Sequence, residues 1–310
     1  GQLALSAARA MWVSRHLGPA TVEAVTQNPY LLCGAPAWLR FAEVDAMAVR
    51  QGLGPSSRVR DLAAFEYVLR HNLQNGHTCL PAHQLCATTA TLTGSTPEQL
   101  AEALARILAD GQLASVPYGS RQYIYLEDLW RAERGIAQTI RQMVRRPVQA
   151  PAGLQQSIRV LEQAQGTQYA EMQRQAIATA LENRLMVLTG GPGTGKTTIV
   201  NAILSLFEQQ LDRVALAAPT GRAAKRLSEL TGRQAKTIHR LLEVDFSKGE
   251  DAVRFVHNES NPLRADVVIV DEMSMVDVKL FESLLAALRP SARLILVGDA
   301  DQLPSVGPGN

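Results

Sequence analysis

The chain has 310 residues, of which 46% are apolar and 19% are charged, a composition typical of an ordinary globular protein of about two or three domains. No run of about eighteen apolar residues occurs, and residues 1–11 lack the basic flank and long apolar core of a signal peptide, so we expect neither a membrane span nor secretion. The three cysteines form an odd set without disulfide spacing, which favours a reducing cytoplasm, and a net charge of +2 does not by itself indicate a nucleic-acid partner.

Residues 1–57 contain short helical patterns interrupted by glycine and proline, with helices predicted over residues 3–16, 20–26 and 41–51. This pattern predicts a domain of the helix-hairpin-helix kind, in which hairpin amides can hold DNA phosphates. The second hairpin reads Ala35-Pro36-Ala37-Trp38-Leu39 and lacks the glycines that let a backbone approach a phosphate. The sequence therefore favours a structural helical bundle here.

Residues 58–145 have the order of elements of a winged-helix domain. Helices are predicted over residues 59–75, 81–88, 97–110 and 126–144, and strands over residues 112–116 and 122–126 flank a turn at 117–120. Thr96 and Gln99 form a predicted capping box around Pro97 at the start of the third helix. Some winged helices bind DNA and others only proteins, and both possibilities stay open.

Four residues near the second of these helices, His77, Cys79, His83 and Cys86, have the side chains of a zinc site. Their spacing fits no common structural zinc pattern, and Pro81 is predicted to open a helix among them. The pattern favours a buried thiol and surface histidines over a metal centre.

Beyond a predicted linker at residues 146–157, residues 158–310 are predicted to form an α/β domain around a phosphate-binding loop. A strand over residues 185–188 leads into a loop in which Gly190, Gly193 and Gly195 let backbone N–H groups curl around an anion. Lys196 would reach the β- and γ-phosphates of a nucleoside triphosphate, and Thr197 would complete a Mg²⁺ shell. The residues predicted to bind ATP in this loop are Gly190, Gly191, Pro192, Gly193, Thr194, Gly195, Lys196, Thr197 and Thr198.

A basic segment follows the next predicted strand, residues 214–218. A helix starting after Thr220 would bring Arg222 and Lys225 to the carboxyl edge of a parallel sheet, where such folds bind ligands. Between Arg222 and Arg240 six cations face one acid. This surplus favours an anionic polymer, although a solvated helix face explains such a cluster about as often.

A fully apolar strand, residues 267–270, ends at Asp271 and Glu272. Burial on both faces is expected of a central parallel strand. Asp271 would hold Mg²⁺ through water, and Glu272 would activate the attacking water as general base. Gln302 follows another apolar strand, and its uncharged amide suits contact with a γ-phosphate.

Five stretches of this region resemble the successive motifs of superfamily-one helicases, and they are most similar to RecD, specifically its N-terminally extended subfamily. They are Gly-Gly-Pro-Gly-Thr-Gly-Lys-Thr-Thr (190–198), Ala-Pro-Thr-Gly-Arg-Ala-Ala (218–224), Thr-Ile-His-Arg-Leu-Leu (237–242), Val-Asp-Glu-Met-Ser-Met-Val-Asp (270–277) and Gly-Asp-Ala-Asp-Gln-Leu-Pro-Ser-Val-Gly (298–307). Residues 28–32 and 76–81 also resemble the extension of that subfamily. The likeness spans nearly the whole chain and is most specific over residues 173–309.

The resemblance implies an ATP-dependent helicase that moves 5′ to 3′ on single-stranded DNA, with a RecA-like P-loop sheet covered by helices on both faces and with ATP and Mg²⁺ as cofactors. It implies that Gln173 reads adenine and that Lys196, Glu272 and Gln302 carry the ATPase chemistry. The positions expected to line DNA are Thr220, Arg222, Thr237 and His239, to which the basic segment adds Lys225. A hairpin at residues 243–257, with Phe246 and Phe255 in its arms, is the expected pin that separates the strands.

The expected partners are single-stranded DNA and its junctions with duplex, bound by a monomer, and subunits resembling RecB and RecC stay possible. Because a family motor needs a second RecA-like domain with an arginine finger, these residues alone are expected to bind Mg-ATP but hydrolyse it poorly. A nucleotide-gated module that grips DNA or a partner without unwinding is the alternative. A P-loop kinase is disfavoured, because the basic segment occupies the place of its phosphoacceptor lid.

Overall fold

The computed structural model describes residues 11, 13–14, 18, 21–34, 37–54, 57–146, 148–191, 193–210, 212–245, 254–299, 305 and 307–309. These residues divide into two units, with the boundary between Arg131 and Ala132. Most of the helix predicted over residues 3–16 lies outside the described residues, as do Pro192, Phe246 and Gln302 of the predicted sites.

The first unit begins with short helices around an apolar core. They are α1 (Thr21–Gln27), a 3₁₀-helix (Pro29–Cys33), α2 (Phe41–Arg50) and the longer α3 (Arg58–Leu73). Asn28 caps the 3₁₀-helix by accepting a hydrogen bond from the Tyr30 N–H at 3.1 Å, and Pro29 fits the first helical position because an N–H there would lack a helical partner. Phe41 and Val44 are buried in the core that these helices share.

A buried charged network ties α2 to α3. Arg60 donates through Nε and Nη2 to the two carboxylate oxygens of Asp45, each at 2.7 Å, and Tyr30 Oη donates to the same carboxylate at 2.6 Å. A further Arg60 bond reaches the Thr93 carbonyl at 3.0 Å. The Arg60 hydrogen bonds lower the pKa of Asp45, although burial opposes the shift. Removing either charge would leave the other buried without its ion-pair partner, so we expect this pair to contribute to the packing of α2 on α3.

The rest of the first unit combines helices with a three-stranded antiparallel sheet. Its elements are β1 (Cys79–Pro81), α4 (Ala82–Thr93), α5 (Pro97–Ala109), β2 (Leu113–Tyr118) and β3 (Arg121–Leu126). The predicted capping box is confirmed, because Thr96 Oγ1 accepts from the Gln99 N–H at 3.3 Å and Gln99 Oε1 accepts from the Thr96 N–H at 3.0 Å.

The structure departs from the sequence-based expectations for this sheet in two places. Residues 79–81 form β1, a strand that the sequence pattern does not predict and that pairs with β3, and the helix predicted over residues 81–88 extends from Ala82 to Thr93. Strand β2 continues through Pro117 to Tyr118, whereas the sequence pattern predicts that Pro117 opens the turn. Proline is tolerated because the strand order β1-β3-β2 makes β2 an edge strand, where an outward N–H needs no partner. The turn therefore shrinks to Gly119, with φ +59°, and Ser120.

Three helices lead into the sheet of the second unit: α6 (Glu127–Arg145), α7 (Leu154–Gln165) and α8 (Glu171–Glu182). Helix α6 contains the boundary between the two units. Helix α7 begins inside the segment predicted as the linker, because Leu154 and Ile158 are buried in the core of the second unit. The division into domains at residues 57, 145 and 157 stays a prediction.

The second unit is built on a five-stranded parallel sheet of order β4-β8-β7-β5-β6. Its strands are β4 (Leu185–Thr189), β5 (Val214–Ala218), β6 (Ala235–Thr237), β7 (Val267–Val270) and β8 (Arg293–Gly298). Its further helices are α9 (Lys196–Gln209), α10 (Gly221–Thr231), α11 (Ile238–Leu242), a 3₁₀-helix (Met273–Met275) and α12 (Val278–Ala286).

Helices cover both faces of this sheet, so the predicted α/β architecture is confirmed. Along β7, Val267 and Ile269 belong to a core formed with α7, α8 and α9, whereas Val268 and Val270 belong to a second core formed with α6 and α12. The carboxyl ends of parallel strands meet at one edge of a sheet. The segments that follow β4, β5 and β7 therefore come together there.

Candidate functional site

The loop between β4 and α9 adopts backbone conformations that its glycines make accessible. Gly193 and Gly195 have φ values of +78° and +82°, in the left-handed region that favours glycine. Gly195 is the residue from which α9 begins, so the loop delivers the chain directly to a helix N-terminus. Lys196 Nζ donates to the carbonyls of Gly190 and Gly191, the latter at 3.0 Å, and so lies folded over the loop.

Gln173, in the first turn of α8, lies against this loop. A Cβ atom placed on Gly195 would be 2.5 Å from Gln173 Nε2. The same amide is held from its other side, because Gln173 Oε1 accepts from the Ala170 N–H at 3.0 Å. The fold thus places Gln173 beside Gly195 of the phosphate-binding loop, although the two residues lie 22 positions apart in the sequence.

Two adjacent carboxylates follow β7. The Asp271 N–H donates to the Ala217 carbonyl at 2.9 Å, which continues the β5–β7 pairing, and Asp271 Oδ1 accepts from the Glu272 N–H at 2.9 Å. Glu272 has a φ of +54°, which is uncommon for a residue with a side chain. This turn ends the strand and places both carboxylates at the sheet edge.

The loop and the carboxylates line one cleft of about 350 Å³. Its walls include Lys196 and Thr197 from the start of α9 and Asp271 and Glu272 from the end of β7. Hard oxygen donors and a lysine beside a glycine-rich loop and a helix N-terminus suit a polyphosphate with Mg²⁺. This ion binds proteins through few carboxylates and keeps waters and phosphate oxygens as its other ligands.

Arg226 on α10 also lines this cleft, a role that the sequence analysis missed. Its side chain is exposed, and among the described residues it has no hydrogen-bond or ion-pair partner. Lys225, one residue earlier, lines a different surface, because successive residues of a helix point about 100° apart. Helix α10 therefore separates the cleft from a second depression.

That depression, here called the basic groove, is lined by Lys225, Lys236 and Arg240 with Gly221, Ala224, Gln234, Ala235 and Thr237. Its volume is about 590 Å³, and no carboxylate is among these lining residues. Of its three cations, Lys225 is a predicted DNA contact, and Lys236 and Arg240 belong to the surplus of cations between Arg222 and Arg240. The groove offers a cationic path of the kind that follows a phosphate backbone.

The other predicted DNA contacts have varied structural roles, and of these only Thr237 is among the residues that line the groove. Thr220 Oγ1 caps α10 by accepting from the Ala223 N–H at 3.2 Å, and Thr237 Oγ1 caps α11 by accepting from the Arg240 N–H at 3.2 Å. Each hydroxyl keeps its own proton for donation to a ligand. Arg222 is exposed in the first turn of α10.

The hairpin predicted at residues 243–257 is described only at its base. Val244 and Phe255 form an antiparallel bridge, and the Asp245 N–H donates to the Arg254 carbonyl at 2.8 Å. The Phe255 ring lies 5.8 Å from the ring of His239, which brings the hairpin base next to the motif that contains His239. Phe246 and the tip fall outside the described residues.

Two negative findings apply to the described part of the chain. Within it, no helix is both long and apolar enough to cross a membrane. The same residues contain no group of three or more His, Cys, Asp or Glu side chains arranged to hold a metal ion.

Cys86 is buried in α4, where burial raises the pKa of its thiol.

Comparisons with known proteins match both ends of the chain. A family model described as an AAA domain matches residues 173–308, and a model described as the ATP-dependent RecD2 DNA helicase HHH domain matches residues 1–79. An ATP-dependent RecD2 DNA helicase of Deinococcus radiodurans is 34% identical over 317 residues, which cover 99% of this chain and 43% of that protein.

Two mycobacterial relatives are named RecBCD enzyme subunit RecD. The protein of Mycolicibacterium smegmatis is 46% identical over 162 residues, covering 45% of this chain and 29% of its own length. The protein of Mycobacterium tuberculosis is 39% identical over 236 residues, covering 67% of this chain and 39% of its own length. This chain spans less than half the length of these three relatives.

Proposed function

We propose that this chain, which belongs to the RecD-like family of helicases, forms the ATP-binding domain and N-terminal extension of an ATP-dependent DNA helicase. The observation that carries the proposal is that one helix, α10, lines both the phosphate-binding cleft and the basic groove. A shift of this helix on nucleotide binding would change the groove, which is the coupling that a translocating motor needs.

The cleft holds the triphosphate chiefly through the chain's own backbone. Loop amides and the N-terminus of α9 surround the phosphates, and Lys196 exchanges its bonds with the loop carbonyls for bonds with the β- and γ-phosphates. Arg226 adds a second cation on the wall formed by α10. Gln173, fixed against Gly195, contacts the adenine.

Hydrolysis depends on the two carboxylates after β7. Thr197 and Asp271 supply the hydroxyl and carboxylate oxygens for Mg²⁺, which when bound offsets the negative charge of the phosphates. Glu272 accepts the proton of the attacking water as general base. Gln302 is proposed to contact the γ-phosphate.

The DNA strand lies along the basic groove. Lys225, Lys236 and Arg240 bind its phosphates, and the hydroxyls of Thr220 and Thr237 donate to it from the two capped helix starts. We propose 5′-to-3′ movement on single-stranded DNA, strand separation at the hairpin of residues 243–257, and a cytoplasmic location. RecB- and RecC-like subunits are possible partners, since two relatives carry the name of a RecBCD subunit.

A test separates binding from chemistry, and it uses a longer protein that joins this chain to a second RecA-like domain, because these 310 residues alone are expected to hydrolyse ATP poorly. Glu272→Gln removes the base but keeps the size and polarity of the side chain, so the protein should bind ATP normally while DNA-stimulated hydrolysis falls by about 10²-fold or more. Glu259→Gln, which changes an exposed glutamate outside the cleft, is the matched control and should leave both unchanged. Normal hydrolysis by Glu272→Gln would remove the general-base role. Hydrolysis without strand displacement by the unaltered protein would favour the alternative of a nucleotide-gated binding module.

A further inference from the structure

The hairpin of β2 and β3 in the first unit ends in an exposed aromatic pair. Tyr118, the last residue of β2, is 78% exposed, the largest value among the exposed large apolar and aromatic side chains of the described residues. Its ring contacts that of Tyr123 edge to face, with centroids 6.4 Å apart. A tyrosine ring that stays in water buries little apolar area in the fold, so most of the Tyr118 ring is accessible to an external ligand.

The strand register places these rings on one face. Tyr118 pairs with Arg121, and Val116 pairs with Tyr123. Side chains two residues apart on a strand point to the same face, and paired residues share a face, so Tyr118, Arg121 and Tyr123 lie on one face of the hairpin. The opposite face contains Leu113, whose side chain is buried in the first unit. The neighbouring strand β1 reaches only as far as the pairing of Pro81 with Tyr123, so the tip projects beyond the sheet.

The charge of the hairpin selects the class of ligand. Residues 115–123 contain Arg121 as their one charged residue and no carboxylate. By contrast, the exposed face of α5 carries Glu98 and Glu102 against Arg106, which disfavours entry of that helix into the phosphate-lined groove of a duplex. The hairpin combines aromatic rings with a single cation, the composition of a stacking platform for unpaired bases.

We propose that this hairpin face binds single-stranded nucleic acid, with a base stacked on Tyr118 and an adjacent phosphate bound by Arg121. The site lies in the first unit and goes beyond the proposed function, whose strand contacts all belong to the second unit. The face holds an unpaired strand because bases inside a duplex do not expose their rings to a tyrosine.

The test uses the 310-residue chain and a fluorescein-labelled oligothymidine, with affinity measured by fluorescence anisotropy over a range of salt concentrations. To make the hairpin contribution visible, the variants are compared in a Lys236→Gln background that weakens the basic groove. Tyr118→Ala should weaken binding by about 5-fold or more, the lower bound for one base–aromatic stack, without changing the slope of log K against log salt. Tyr118→Phe, which keeps the ring, should bind like the parent. Arg121→Gln should reduce the magnitude of the slope by about 0.7.

Three outcomes would overturn the proposal. Equal binding by Tyr118→Ala and the parent would show that the face does not touch DNA and would leave protein docking as its use. Equal losses for Tyr118→Phe and Tyr118→Ala would assign the effect to the hydroxyl rather than to stacking. An equal loss on a duplex of the same length would replace base stacking with duplex binding. Ser120→Ala in the same turn controls for disturbance of the hairpin, and ATP binding through Lys196, measured separately, reports on the proposed function independently.

Discussion

Replacing Gly195 with alanine tests the contact between the phosphate-binding loop and Gln173. With φ at +82°, a side chain at residue 195 incurs backbone strain of about 1–2 kcal/mol. The new Cβ would also lie 2.5 Å from Gln173 Nε2, so the amide must move and lose its 3.0 Å bond to the Ala170 N–H, which costs about 1 kcal/mol more. The expected total is about 2–3 kcal/mol of unfolding free energy for the second unit.

Gly193 provides the matched control for this substitution. Its φ of +78° is similar, but a Cβ placed there meets nothing within 4 Å, so Gly193→Ala should cost only the strain of about 1–2 kcal/mol. In a Gln173→Ala background the clash is absent, and Gly195→Ala should then cost no more than Gly193→Ala. Hydrogen exchange of amides in β4 and α9, measured without nucleotide, gives these free energies.

A second readout reports on function. By displacing the Gln173 amide, Gly195→Ala should reduce the preference for ATP over GTP as Gln173→Ala does. Equal stability losses for Gly193→Ala and Gly195→Ala, together with strict additivity of Gly195→Ala and Gln173→Ala, would refute the contact between Gln173 and the loop.

Two further predictions concern the α10 wall and the first unit. Arg226→Gln should weaken ATP binding by about tenfold or more and ADP binding less, since a charged hydrogen bond is worth about 1.5–3 kcal/mol. Lys225→Gln should weaken DNA binding and leave ATP binding unchanged. Titrations in which the two variants reduce ATP affinity equally would contradict the assignment of Arg226 to the cleft. Because Arg60 lowers the pKa of Asp45, the pair stabilises the fold above the unfolded carboxyl pKa of 3.8, and this stability is lost as pH falls through the lower pKa of the folded state. Urea unfolding of the first unit, which contains all three tryptophans of the chain, should show this loss below about pH 4 when it is followed by tryptophan fluorescence. An unchanged acid dependence in Asp45→Asn would contradict it.

The parallel sheet could be predicted because its strands are short apolar runs followed by functional residues. Burial of all four residues of β7 on two faces follows from a sequence without polar positions. The phosphate-binding loop is equally local, since its glycines, lysine and helix start are adjacent in sequence. Such features depend on near neighbours and can be read from a single chain.

The missed features depend on distant neighbours. Strand β1 is three residues long and exists because β3, some 40 residues later, pairs with it. Pro117 fits within β2 only because β2 lies at a sheet edge, which the local sequence does not reveal. Arg226 and Lys225 are adjacent, and the orientation of α10 decides which one faces the cleft.

The most direct test of the central claim is a calorimetric titration of this chain with Mg-ATP. Saturable binding is predicted for the parent and for Lys279→Ala, whose amino group pairs with Glu282 at 3.4 Å on α12, and it should be lost in Lys196→Ala. No heat of binding in the parent, or equal binding by Lys196→Ala, would contradict the assignment of the cleft to a nucleoside triphosphate.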